Sequence, residues 1–137
     1  MNLRTLVAPI LGLFAVILAL GACADPATSP QNHRPVIFSL VAFPEVASAS
    51  DSILVVCQAM DADCDTLVYD WITDGSLRIR DAREGEHWLY NTRESFMVFY
   101  PVPEVVHVPV DTVWVQCFAR DGRGMSAAQV VTFVIRL

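Results

Sequence analysis

Apolar and polar positions alternate with a period of two along most of residues 35–137, and no stretch there holds a helical period of 3.6. Val36, Phe38, Leu40 and Ala42 mark a first strand, Ile53, Val55, Cys57 and Ala59 a second, and Leu67, Tyr69 and Trp71 a third. Past the Asp74-Gly75 turn, Leu77 and Ile79 predict a short strand with Arg78 and Arg80 on its other face, as suits a solvent-facing edge. A polar stretch runs from there to about Asn91. Phe96 to Tyr100 predicts the next strand, Val113, Val115, Cys117 and Ala119 another, and Val130 to Leu137 the last. Arg120-Asp121-Gly122-Arg123-Gly124 supplies the turn between these two, since Asp-Gly tolerates the positive φ of tight hairpins. The expected architecture is all-β, an antiparallel sandwich of about seven strands.

The first residues follow a different pattern. One charge, Arg4, precedes an apolar run over 6–20 that is too short for the roughly twenty residues of a membrane span and reads as a secretory signal. It ends in Leu20-Gly21-Ala22-Cys23, which resembles the lipobox of bacterial lipoproteins. The resemblance implies cleavage before Cys23 and lipidation of its sulfur, and Ala24 after the Cys implies sorting to the outer membrane. Residues 1–22 are then the signal peptide. Residues 23–34 are the lipidated Cys and a flexible tether, rich in Pro and small polar side chains that repay little of the cost of ordering. Residues 35–137 form the folded domain.

Composition narrows the chemistry. All nine basic residues are Arg, so a catalytic Lys, a Schiff base and a P-loop are excluded, and a net charge of −6 argues against nucleic acid. The three His have no zinc-motif spacing, and no G-x-S-x-G elbow is present. An enzyme is not expected.

Asn32 to Pro35, the alternating run from Ile53 through Asp61, Asp63 and Asp65 to Trp71, and the segment from Asp111 through Cys117 to Gly124 together resemble immunoglobulin-like and PKD-like domains of bacterial surface proteins. The resemblance implies that Cys57 and Cys117 occupy strands B and F and join the two sheets as a disulfide, with Trp71 packed on the bridge. Val115 stands where those sandwiches carry a Tyr, so the tyrosine corner is absent. Cys57 with Cys64 is the competing pair. With Cys23 lipidated and Cys57 paired to Cys117, Cys64 is left as a free thiol or as a link to a partner.

Two further clusters carry candidate chemistry. Asp61, Asp63 and Asp65 lie between the second and third strands and Asp121 between the last two; in this topology the two loops meet, and four carboxylates could hold calcium. The alternative is that they bond turn N–H groups and pair with Arg120 and Arg123. The segment 96–110 is apolar in both phases, which fits either a strand buried on two faces or a partner surface of Phe96, Phe99 and Tyr100 with Trp88 and Tyr90 upstream. No cofactor other than calcium is expected. The sequence thus points to an envelope-anchored, non-catalytic module that binds protein or has a structural role. Carbohydrate binding or calcium-stabilised adhesion is the alternative.

Overall fold

A computed structural model describes residues 31–102, 106, 109–124 and 126–136 of the chain. The signal peptide, Cys23 and most of the tether lie outside the described residues. Nine strands follow in order: β1 (Val36–Phe43), β2 (Val46–Ser48), β3 (Ile53–Met60), β4 (Val68–Thr73), β5 (Leu77–Ile79), β6 (Trp88–Thr92), β7 (Phe96–Pro101), β8 (Val110–Arg120) and β9 (Ser126–Arg136). They form a four-stranded sheet, β1-β3-β7-β5, facing a five-stranded sheet, β2-β9-β8-β4-β6. All pairings are antiparallel except β2 with β9. The all-β sandwich is the expected one.

The alternation read from the sequence builds the core. Ile53, Val55, Cys57, Leu77, Ile79, Met97 and Phe99 point inward from one sheet, and Tyr69, Trp71, Val113, Val115, Cys117, Ala119, Phe133 and Ile135 from the other. Trp71 is fully buried and meets Phe99 of the opposite sheet edge-on, ring centroids 6.1 Å apart. Such a contact contributes on the order of 1 kcal/mol beyond the area it buries.

Four local features depart from the pattern. A bulge between Ile37 and Ser39 adds one residue to β1, so Ile37 packs on the core and Phe38 turns to solvent. After Phe43 the chain changes sheets, and β2 pairs in parallel with the end of β9, which Pro44 permits by ending β1. The polar stretch before Asn91 ends in an edge strand, β6, held to β4 through an irregular register. In the β8–β9 turn the positive φ falls on Gly124, not Gly122, because Asp121 is buried and accepts the Arg123 N–H at 2.8 Å.

Candidate functional site

One end of the sandwich is an acidic pole. Asp61 follows β3 directly, and its Oδ1 accepts the N–H groups of Asp63 at 2.8 Å and Asp65 at 3.4 Å, which folds the D-x-D-x-D run back on itself. One oxygen of each of these three Asp lies within 4.8 Å of the others. Asp121, at the end of β8, accepts a hydrogen bond from Asn32 Nδ2 at 2.9 Å. The backbone N–H of His33 donates to Asp63 Oδ2 at 2.6 Å, and its ring Nδ1 lies 2.9 Å from Oδ1. Asn32 and His33 were read as tether, yet they tie the start of the domain to both loops.

Arg123 Nε lies 3.3 Å from Asp65 Oδ2, whereas Arg120, expected here, points away to Asp70. Asp61 and Asp63 are 5% and 3% exposed, a costly burial for carboxylates. Asp61 Oδ2 and Asn32 Oδ1 are buried and accept no hydrogen bond among the described residues, while the buried Asp65 Oδ2 has the Arg123 ion pair. An all-oxygen set with unsatisfied buried acceptors suits a hard cation such as calcium, which takes six to eight oxygen ligands. Asn32 is the member that the spacing of the acidic residues did not single out.

The two outer sheet faces differ in chemistry. On the four-stranded sheet, Phe43, Leu54 and Val98 lie side by side across β1, β3 and β7, with Val41, Val56 and Phe96 in the next row. Of the expected partner residues, Phe96 is exposed, Tyr100 is half-buried with the Arg78 guanidinium 5.7 Å over its ring, and Phe99 is fully buried. Phe99 is therefore a core residue: neighbouring side chains on a strand point to opposite faces, and its phase is the inward one.

On the five-stranded sheet, Trp88 and Tyr90 are exposed together, 44% and 52%, on edge strand β6. Beside them lies a polar cluster. Arg120 donates to both carboxylate oxygens of Asp70, at 2.6 and 2.9 Å, and to Asn91 Oδ1 at 2.7 Å. The Asn91 N–H donates to Asp70 Oδ1 at 2.8 Å. Asn91 has φ 60°, a left-handed conformation that Asn adopts more readily than most residues. Asp70 thus holds the irregular part of β6 that carries Tyr90, while Trp88 pairs regularly opposite Ile72.

At the other end, a cavity of about 670 Å³ is lined by Asp74, Arg78, Glu84, Glu86 and His87 among others. Its described lining contains no Ser, Thr or Cys to serve as a nucleophile. Asp74 is occupied, accepting the N–H groups of Ser76 at 2.9 Å and Trp114 at 3.1 Å.

The cysteines stand differently from expectation. Cys57 and Cys117 come from facing sheets and are buried, but as two thiols and not as a disulfide. They share a hydrogen bond that holds the Cys57 thiol below its ordinary pKa and, with burial, pushes Cys117 well above it. Trp71 lies directly across β4 and β8 from Cys117, as the resemblance implied. Cys64, expected as a free thiol, is disulfide-bonded. It adopts φ 60° in the acidic loop.

No protein-family model and no curated protein matches the chain. Solved structures do. A structure concerned with the promiscuous specificity of carbohydrate-binding modules of the β-sandwich superfamily matches with a TM-score of 0.54 and 16% identity, over 78% of this chain and 36% of that one. The PKD1 domain of Vibrio anguillarum Epp matches with a TM-score of 0.51 and 15% identity, over 78% of this chain and 99% of that one. A lipoprotein from Bacteroides thetaiotaomicron matches with a TM-score of 0.45 and 16% identity, over 77% of this chain and 82% of that one. This chain spans about a third of the carbohydrate-binding chain. At such identities the likeness is one of fold: the domain is an immunoglobulin-like, PKD-like β-sandwich.

Proposed function

We propose that the chain is a bacterial envelope lipoprotein, anchored through Cys23 and sorted to the outer membrane, whose sandwich is a non-catalytic module that binds an envelope protein. The observation that carries this reading is the outer face of the four-stranded sheet. A sandwich face in water alternates with polar residues, but here Phe43, Leu54, Val98, Val41, Val56 and Phe96 adjoin one another. Contiguous apolar surface of this kind marks protein interfaces. The test is purification of the full-length, C-terminally tagged protein from its own membrane in mild detergent, with Leu54→Glu in parallel. A stoichiometric companion that is lost with the variant is expected; the absence of any companion contradicts the reading.

A second reading, carbohydrate binding, is favoured by the joint exposure of Trp88 and Tyr90 beside the Asp70, Asn91 and Arg120 cluster. Aromatic faces stack on sugar rings, and a few fixed polar groups orient hydroxyls. Calorimetric titration with envelope polysaccharides tests it: binding abolished by Trp88→Ala supports it, and no heat with any glycan opposes it. Calcium at the acidic pole is compatible with either reading, as a clamp on the loops and on the start of the domain.

A further inference from the structure

The apolar face of the four-stranded sheet poses a sharper question than whether it binds protein, namely which surface fits it. No residue of β1, β3 or β7 carries a charge, and apart from the paired Ser39 and Gln58 these three adjacent strands put mainly apolar side chains on both faces. Sheets with that pattern are covered on both faces. The inner face is covered by the five-stranded sheet, while on the outer face Phe38 and Phe43 remain more than half exposed and Phe96 42% exposed.

We infer that a second copy of this chain covers the face, packing its own four-stranded sheet against it about a twofold axis. This rests on the protein-binding reading above and names the partner. Three observations favour a copy over an unrelated protein. The first is shape: an antiparallel sheet face is complementary to another sheet face, the two layers lying ~10 Å apart with strands roughly aligned. An isologous contact then needs only one self-complementary patch.

The second is area. Aromatic side chains bury roughly 150 to 250 Å² each, so three half-exposed Phe with the neighbouring aliphatics present on the order of 600 Å² of apolar surface. That is the top of the range for a monomer and approaches the ~800 Å² per partner of a stable interface. The third is charge. Two copies of a chain with net charge −6 repel unless their contact excludes the acidic groups, and this face does so. At its β5 border the face carries the exposed Arg78, whose guanidinium lies 5.7 Å over the Tyr100 ring, and just past β5 Arg80 is neutralised by Asp81 and Glu94, both at 2.9 Å.

The test co-expresses two full-length chains carrying different tags and purifies them from membranes in mild detergent through one tag. The second wild-type copy is expected to co-purify at about half the amount of the captured one, as random twofold pairing dictates, and co-purification is expected to fall at least tenfold with Leu54→Glu and with Phe96→Glu. Both side chains face outward, and thermal melting and protease resistance of the variants establish that each still folds. Arg136→Glu, which adds charge on the other sheet, is expected to leave co-purification unchanged. Should the two tagged copies stay separate while another companion is bound and then lost in Leu54→Glu, the second-copy inference falls and the protein-binding reading stands. Absence of both kinds of companion overturns both, and co-purification that survives both face variants overturns the twofold contact.

Discussion

Asp70 and Arg120 form a two-pronged ion pair on the outer face of the five-stranded sheet, with Nε and Nη2 at 2.6 and 2.9 Å from the two carboxylate oxygens. The same guanidinium reaches Asn91 in the irregular part of β6, so one side chain joins β8, β4 and the edge strand. Asp70 is only 8% exposed and relies on this partner and on the Asn91 N–H. Its hydrogen bond also raises the Arg120 pKa above its ordinary value.

Arg120→Ala removes both prongs and leaves the Asp70 carboxylate poorly compensated. The expected cost is about 1 to 2 kcal/mol, at the lower end for charged hydrogen bonds because the Arg is partly exposed. Thermal melting checks the cost. Glycan binding through Trp88 and Tyr90, where it is found, should weaken in parallel, since the edge strand loses its brace.

Calcium should raise the melting temperature of the wild-type domain by several degrees, and chelator should reverse the rise. A ligand at 100 times its Kd stabilises by about 2.7 kcal/mol, which sets the scale. Asp61→Asn keeps an Oδ1 to accept the Asp63 and Asp65 N–H groups but replaces the orphaned oxygen with a donor. The variant should fold and lose the response to calcium. Identical melting with calcium and with chelator would identify the pole as a hydrogen-bonded turn cluster alone.

The cysteines give two linked predictions. In an oxidising envelope the facing Cys57 and Cys117 thiols should close to a disulfide; a loop of about 60 residues gives roughly 4 kcal/mol in the chain-entropy model. Reductant should then lower the melting temperature of wild type by more than that of a Cys57→Ala, Cys117→Ala double variant, which keeps only the Cys64 bond. Lipidation of Cys23 and a bond from Cys64 to Cys23 exclude each other, because both use the same sulfur. Mass spectrometry of the mature N-terminal peptide from membranes should show an acylated Cys23. A peptide joining Cys23 to Cys64 would contradict the lipid anchor.

The inward phase of β3, β4, β5 and β8 was legible in the sequence because Ile53/Val55/Cys57, Tyr69/Trp71, Leu77/Ile79 and Val113/Val115/Cys117 recur at every second residue, whereas β7 is apolar in both phases and its inward Phe99 was read as surface. Phe38 was misplaced because a bulge shifts phase without any Gly or Pro to announce it. β6 was missed because its residues, Trp-Leu-Tyr-Asn-Thr, follow a charged stretch and form an edge with only one neighbour. At the acidic pole the alternate spacing of Asp61, Asp63 and Asp65 brings one oxygen of each within 4.8 Å of the others, whereas Asp121, expected with them, is not part of that group. Asn32 and His33 were hidden because a tether rich in Pro and polar residues reads alike whether loose or docked, and only the fold brings them to Asp121 and Asp63. At Cys64 the arithmetic on lipidation and a family pairing left no partner within the chain, so its disulfide was read only as the alternative to a free thiol.

The most direct test of the account takes the full-length tagged protein from its native membrane, thiols blocked, and compares wild type, Leu54→Glu and Trp88→Ala by what is bound in stoichiometric amount. A bound protein, whether a second copy or another chain, is expected to be retained by Trp88→Ala and lost by Leu54→Glu while the variant still melts cooperatively. A bound partner indifferent to Leu54→Glu, or a wild-type protein recovered alone, would contradict the claim that this sheet face is the working surface.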